Sequence, residues 1–225
     1  MTHAVRFRLT AVAAFLSAFG LLSAGSLRAE AADVLLTQFA QAVAGVADYT
    51  VSITTHEVKG SDVRDNVYNY WFKKPALAKI ETVSGRGRGS AAAWHGGDTV
   101  SGHQGGILSF IRLTVGIHDG KAVSLRGDTI DSASFPAQLE HFRTTKGELT
   151  EGPGPAIAGA PTESLTLKPA DPAANGNVSR DVLYFANATH LPVRRERYEG
   201  DQLVKREDYT DLKLNVGLGD GDFAL

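Results

Sequence analysis

Asn66-Val67-Tyr68-Asn69-Tyr70-Trp71-Phe72-Lys73-Lys74-Pro75 is the stretch against which the rest of the chain is read. Tyr68, Tyr70 and Phe72 recur at period two, so in a strand their rings share one face. Val67, Asn69, Trp71 and Lys73 take the other face. Pro75 closes the strand, because proline cannot donate the next ladder bond. An all-aromatic face needs apolar matter against it. That is either a second layer of the protein or, in an open and curved sheet, an apolar ligand.

Working outward, Tyr49-Thr50-Val51-Ser52-Ile53-Thr54 also alternates and puts Tyr49, Val51 and Ile53 on one side. The turn cluster Lys59-Gly60-Ser61-Asp62 predicts a hairpin between these two strands. Leu77 to Val83 reads as a third strand. Upstream, Leu35, Leu36, Phe39, Ala42, Val43 and Val46 recur at helical spacing, which predicts a helix over Asp33–Val46 with Asp33 as its cap.

Downstream, Ser84 to Gly89 alternates glycine and arginine and reads as a flexible basic loop. It lacks the Gly-Lys-Ser/Thr ending and the strand-loop-helix setting of a phosphate cradle. Ala91–His95 and Thr99–Ser101 read as short strands joined at Gly96-Gly97-Asp98. The segment 105–115 is the most apolar after residue 31 and reads as a short helix or a buried strand; length does not arbitrate. His118-Asp119-Gly120-Lys121 is a turn. Phe135 to Phe142 predicts a helix capped by Ser134, with Phe135, Leu139 and Phe142 on one side. Gly152-Pro153-Gly154-Pro155 reads as a loop.

The last third is strand after strand: Ser164–Lys168, Arg180–Ala186, and a hairpin of Leu191–Glu199 with Leu203–Tyr209. The mixed charges of that hairpin predict solvated cross-strand pairs and no site. Roughly nine or ten strands and two helices make one α+β domain dominated by an antiparallel sheet.

The chain has 225 residues, a net charge of -2 and no cysteine. Its start reads as a cleaved export signal over 1–31: Arg6 and Arg8, an apolar run from Leu9 to Leu22, and the small-x-small pattern Ala29-Glu30-Ala31. The run is short for a membrane span. Residues 32–225 then form the mature domain, placed in the periplasm or outside the cell, with no lipid-attachment cysteine and no stable membrane span. Cleavage removes three arginines and one acid, so the mature chain has no basic surplus for nucleic acid or anionic lipid surfaces.

Catalytic groups are not assembled by the sequence. There is no thiol and no Gly-x-Ser-x-Gly elbow. His95, Asp98 and His103 match no zinc spacing and read as turn residues. Glu207 and Asp208 are adjacent, so in a strand they face opposite ways and cannot work as an acid/base pair. The expectation is a binding protein, not an enzyme, with no metal and no cofactor.

The order of parts resembles the LolA/LolB-like superfamily, the periplasmic carriers of outer-membrane lipoproteins. The resemblance rests on a helix, then Tyr49-Thr50-Val51, then the aromatic strand ending Phe72-Lys73-Lys74-Pro75 with Leu77-Ala78-Lys79-Ile80. It rests also on the closing pattern Tyr184-Phe185, Leu191-Pro192-Val193-Arg194, Tyr209-Thr210-Asp211-Leu212-Lys213-Leu214-Asn215 and Asp222-Phe223. Gly105-Gly106-Ile107-Leu108 and Ser124-Leu125-Arg126-Gly127-Asp128-Thr129-Ile130 are similar to a further branch of secreted bacterial proteins.

The resemblance implies a strongly curved antiparallel sheet, an unclosed half-barrel covered by a few helices, whose hollow takes acyl chains. It implies a strand arginine that latches the lid helices, where the aromatic strand here carries Lys73 and Lys74. The expected lining is Tyr49, Val51, Ile53, Tyr68, Tyr70, Phe72, Ile80 and Trp94, with Phe135 and Leu139 from the covering helix. The expected partner is a lipid or lipoprotein acyl chain. The alternatives are a regulatory or envelope-assembly protein that binds another protein and, ranked lowest, a secreted metal-dependent hydrolase.

Overall fold

The computed structural model describes residue 1 and residues 24–225, with side chains described from 34 onward except 108. The export signal expected over 1–31 lies mostly outside the described residues. Helix α1 spans Ala24–Ala44 and helix α2 Phe135–Thr144. Eleven strands follow in chain order: β1 Asp48–Lys59, β2 Asp62–Lys73, β3 Leu77–Ser84, β4 Ala91–Trp94, β5 Thr99–His103, β6 Arg112–Gly116, β7 Gly147–Pro153, β8 Thr162–Pro169, β9 Arg180–Ala186, β10 Pro192–Glu199 and β11 Gln202–Leu214.

All eleven form one antiparallel sheet in the order β6-β5-β4-β3-β2-β1-β11-β10-β9-β8-β7. β1 and β11 lie at its centre. The first six strands step outward one way, and the last five return from the far edge. The edges β6 and β7 do not pair, so the curved sheet is not closed into a barrel.

Register explains what faces inward. Tyr49 pairs with Phe72, Val51 with Tyr70 and Ile53 with Tyr68. Tyr70 and Phe72 continue to Ile80 and Ala78. On the other side Ile53 pairs with Tyr209. Directly paired residues share a face, so the period-two pattern of each strand adds to one continuous apolar wall. Leu165, Leu167, Leu183 and Phe185 extend it across β8 and β9.

The helices cover this wall. In α1, Leu35, Phe39 and Val43 are buried at spacing four, one stripe of a helix. Phe39 meets Phe185 with ring centroids 5.1 Å apart. The helix runs through Asp33, so that residue does not begin it, and it stops before the buried Val46. Its carboxyl end is capped by Lys74, whose Nζ donates to the carbonyls of Val43 at 2.7 Å and Ala44 at 3.3 Å. A cation there satisfies orphan carbonyls and the helix dipole together. In α2, Ser134 Oγ accepts from the Ala137 N–H, the expected cap.

Three local expectations need correction. The apolar segment 105–115 is a short helical turn and a strand in succession, and the strand is not buried beyond its partly covered Val115. The segment holds a 3-10 turn at Gly106–Leu108 and then edge strand β6, which has no neighbour beyond it. Gly152 and Pro153 belong to β7, where an edge position tolerates proline. The β10–β11 hairpin is not charged on exposed faces alone, for Arg195, Lys205 and Glu207 are buried.

Candidate functional site

The ten residues expected to line a hollow do come together on the inner face, but most are packed against one another. Tyr49, Val51, Ile53, Tyr70, Phe72, Phe135 and Leu139 are buried in the main core; Tyr68, Ile80 and Trp94 are partly buried against it. Phe135 fills the space over the sheet. Its ring stacks on Tyr49 at 4.6 Å between centroids and 14° between planes, and stands edge-on to Tyr209 at 5.8 Å. The Phe135 N–H donates to Tyr49 Oη at 3.1 Å, and Tyr70 Oη donates to the Ile130 carbonyl at 3.1 Å. Burial pushes the Tyr49 phenol well above its usual range, only partly offset by the Phe135 bond. Under the helix ends, Val43, Val46, Tyr49, Phe72 and Phe135 leave a crevice with no room for water.

An open hollow lies beside this packed wall. It is bounded by β1–β4 and β11 on one side and on the other by residues 117–133, a strap that crosses the inner face between β6 and α2. Its volume is about 280 Å³. One flank is apolar: Ile53, Tyr68, Ile80 and Ala92 from the sheet, Ile130 and Ala133 from the strap. The other is charged, with Glu57, Lys205 and Glu207 from the sheet and Asp128 from the strap. Arg64, Arg86 and Lys121 also line it, and among the described residues none of the three is in an ion pair.

The charged flank follows from strand parity. Glu57 lies two and four residues beyond Thr55 and Ile53; Lys205 and Glu207 lie four and two before Tyr209. Residues two apart share a face, so these charges must point inward beside the aromatic wall. Lys205 Nζ lies 3.2 Å from Glu57, 2.7 Å from Asp128 and 3.1 Å from Glu207. Arg197 grips Asp128 with two bonds of 2.7 and 2.6 Å. Next to it, Arg195 grips buried Asp181 at 3.0 and 2.6 Å, and His141 of α2 lies 3.2 Å from the same carboxylate.

Burial alone would raise the Asp128 and Asp181 carboxyls. The guanidiniums of Arg197 and Arg195, with Lys205 at Asp128, hold both well below the usual carboxylate range. Burial would lower the Lys205 ammonium, but Asp128, Glu207 and Glu57 push it up instead. Asp128, Asp181 and Lys205 therefore stay charged at neutral pH.

The cluster ties down the strap. Ser124 Oγ donates to Glu57 at 2.7 Å, and the Leu125 N–H donates to the same carboxylate at 3.3 Å. Arg126 donates to the Val58 carbonyl at 2.7 Å and pairs with Glu199. The sequence reading found Ser124–Ile130 only as a resemblance and missed the cluster. The available signal was the parity of β11, because an inward Tyr209 forces Lys205 and Glu207 inward.

Lys74 holds α1, as described above, and Lys73 pairs outward with Asp220 at 3.0 Å. Lys74, the residue that follows β2, is thus the lysine that contacts a covering helix. Among the described residues no group of three or more His, Cys, Asp or Glu is placed to hold a metal ion, and no helix is long and apolar enough to cross a membrane.

No protein-family model matches the sequence, and neither does any curated protein. Solved structures do. MucB matches at a TM-score of 0.52 and 16% identity, over 87% of this chain and 63% of that one, so this chain spans less than two thirds of MucB. A DUF1329 family protein from Desulfovibrio piger matches at 0.48 and 16%, over 87% and 96%. A LolA superfamily protein from Nitrosomonas europaea matches at 0.43 and 13%, over 86% and 97%. At these identities the likeness is one of fold: an unclosed antiparallel sheet covered by helices, shared with MucB.

Proposed function

We propose that the protein is a non-catalytic binding protein of the cell envelope, carrying one apolar chain of an amphipathic molecule in the hollow beneath the strap. The observation that carries this reading is the two-sided lining: Ile53, Tyr68 and Ile80 offer an apolar flank, while Arg64, Arg86 and Lys121 stand by without ion partners among the described residues. Such a site suits a hydrocarbon tail with an anionic head. Burial contributes about 0.8 kcal/mol per methylene, so affinity rises with chain length and tolerates changes in chemistry. A volume of about 280 Å³ lies just under the usual range of about 300–1,000 Å³ for ligand sites, which favours a single chain over a multi-chain lipoprotein anchor.

Lys205, Glu57, Asp128 and Glu207 saturate one another, and their work is to hold the strap. A second reading, a regulatory protein that binds another protein, is favoured by edge strand β6, whose outer backbone groups are free to accept a further strand.

Native mass spectrometry of protein purified without detergent tests the first reading. The expected result is an adduct of one amphiphile per chain, released by organic extraction. A chain that carries no adduct and acquires none on incubation with fatty acids would contradict it.

A further inference from the structure

Four large apolar side chains stand in water at one end of the sheet. Ile107 is 91% exposed, Phe110 76%, Leu113 49% and Ile111 43%. Single exposed apolar residues are ordinary; four within so short a segment mark a surface meant to be covered.

The segment is braced. Gly105 lies against the Arg88–Gly89 backbone so closely that a Cβ there would collide with the Arg88 carbonyl, so only glycine allows the approach. The Arg88 loop is fixed in turn by buried Asn66, which donates to the Arg86 carbonyl at 2.8 Å and accepts from the Arg86 N–H at 3.2 Å. Arg86 and Arg88 are exposed, and neither 84–90 nor 103–113 contains an acid. The net acidity of the chain conceals this local basic tip.

We propose that this tip docks on an anionic lipid bilayer. Ile107 and Phe110 enter the boundary between headgroups and acyl chains, and Arg86 and Arg88 pair with lipid phosphates. The charges within the two segments are of one sign, which suits a surface of phosphates; Asp65, whose backbone lies against Gly85, is engaged by His56 at 2.7 Å. Arg86 also lines the hollow, so docking brings the hollow beside the bilayer. The contact shares Arg86 with the hollow but takes its apolar part from Ile107 and Phe110 and its second cation from Arg88, none of which lines the hollow, so it stands whether or not the hollow is filled.

The chain has no cysteine, so an Ile107→Cys variant takes a single environment-sensitive fluorophore. The full chain is titrated with vesicles of phosphatidylglycerol mixed into phosphatidylcholine, and with phosphatidylcholine alone. The expected result is a blue shift with the anionic vesicles only. A label at Asn187→Cys, at the opposite end of the sheet, stays unshifted. Adding Arg86→Gln and Arg88→Gln weakens partitioning about thirtyfold, at the usual worth of two basic residues near an anionic surface. Adding Ile80→Arg, which blocks the hollow, leaves the shift in place. No shift, an equal shift with neutral vesicles or at Asn187, or no loss in the double glutamine variant would overturn the proposal.

Discussion

Lys205 Nζ lies 2.7 Å from Asp128 Oδ2, joining the centre of the sheet to the strap that crosses it. The same carboxylate group takes two bonds from Arg197. Asp128 thus stands between two cations of the sheet and is the strap's main anchor.

Asp128→Ala is expected to cost about 3 kcal/mol, the low end for a buried pair, because it leaves the partly buried Arg197 without its carboxylate and removes one of the three around buried Lys205. The loss is not uniform. Backbone amides of 117–133 should exchange faster than those of β1 and β2, since the strap opens before the sheet. Denaturant unfolding with hydrogen exchange checks both; uniform protection in the variant would contradict the anchoring role.

Acid should weaken the fold in a defined window. The Asp128 and Asp181 carboxyls titrate lower in the folded chain than in the unfolded one. Their contribution is therefore complete above the ordinary carboxylate pKa of about 4 and is lost as pH falls below it. Stability is expected to decline from that point downward. In Asp181→Asn the neutral-pH stability falls and the acid slope flattens. Urea midpoints measured across pH give the slope; an unchanged slope in the variant would remove Asp181 from the account.

Phe135 occupies the space over Tyr49. Phe135→Ala should destabilise by about 3–5 kcal/mol, the usual range for a buried aromatic ring. Tyr49→Phe keeps the stack and loses only the bond to the Phe135 N–H, for about 1 kcal/mol. Urea melts of the two variants should differ accordingly. Equal, small losses would mean that the ring does not fill the wall.

Much of the fold was legible because local and long-range signals agree. Tyr68, Tyr70 and Phe72 alternate, the Gly60 turn closes the hairpin, and Ser134 caps α2 as its sequence predicts. Two things were not legible locally. Whether the aromatic face borders a void depends on where Phe135 lands, and that contact joins residues far apart in the chain. The charges of β10 and β11 look solvated until neighbouring strands fix which face is inward. The exposure of Ile107 and Phe110 is of the same kind: an apolar run implies burial only if something lies beyond the edge strand.

The central claim is that Ile80 and Tyr68 border a ligand site and that the wall under the helices does not. Titration of a naturally fluorescent polyene fatty acid into the wild-type chain and Ile80→Arg tests it most directly. Saturable binding is expected in the wild type. It should fall by roughly two orders of magnitude in Ile80→Arg, since the larger side chain takes up the apolar space and its guanidinium costs several kcal/mol to desolvate when a chain enters, while circular dichroism keeps the folded spectrum and the urea midpoint falls only modestly. Undiminished binding in a folded Ile80→Arg chain, or no saturable binding in the wild type, would contradict the account.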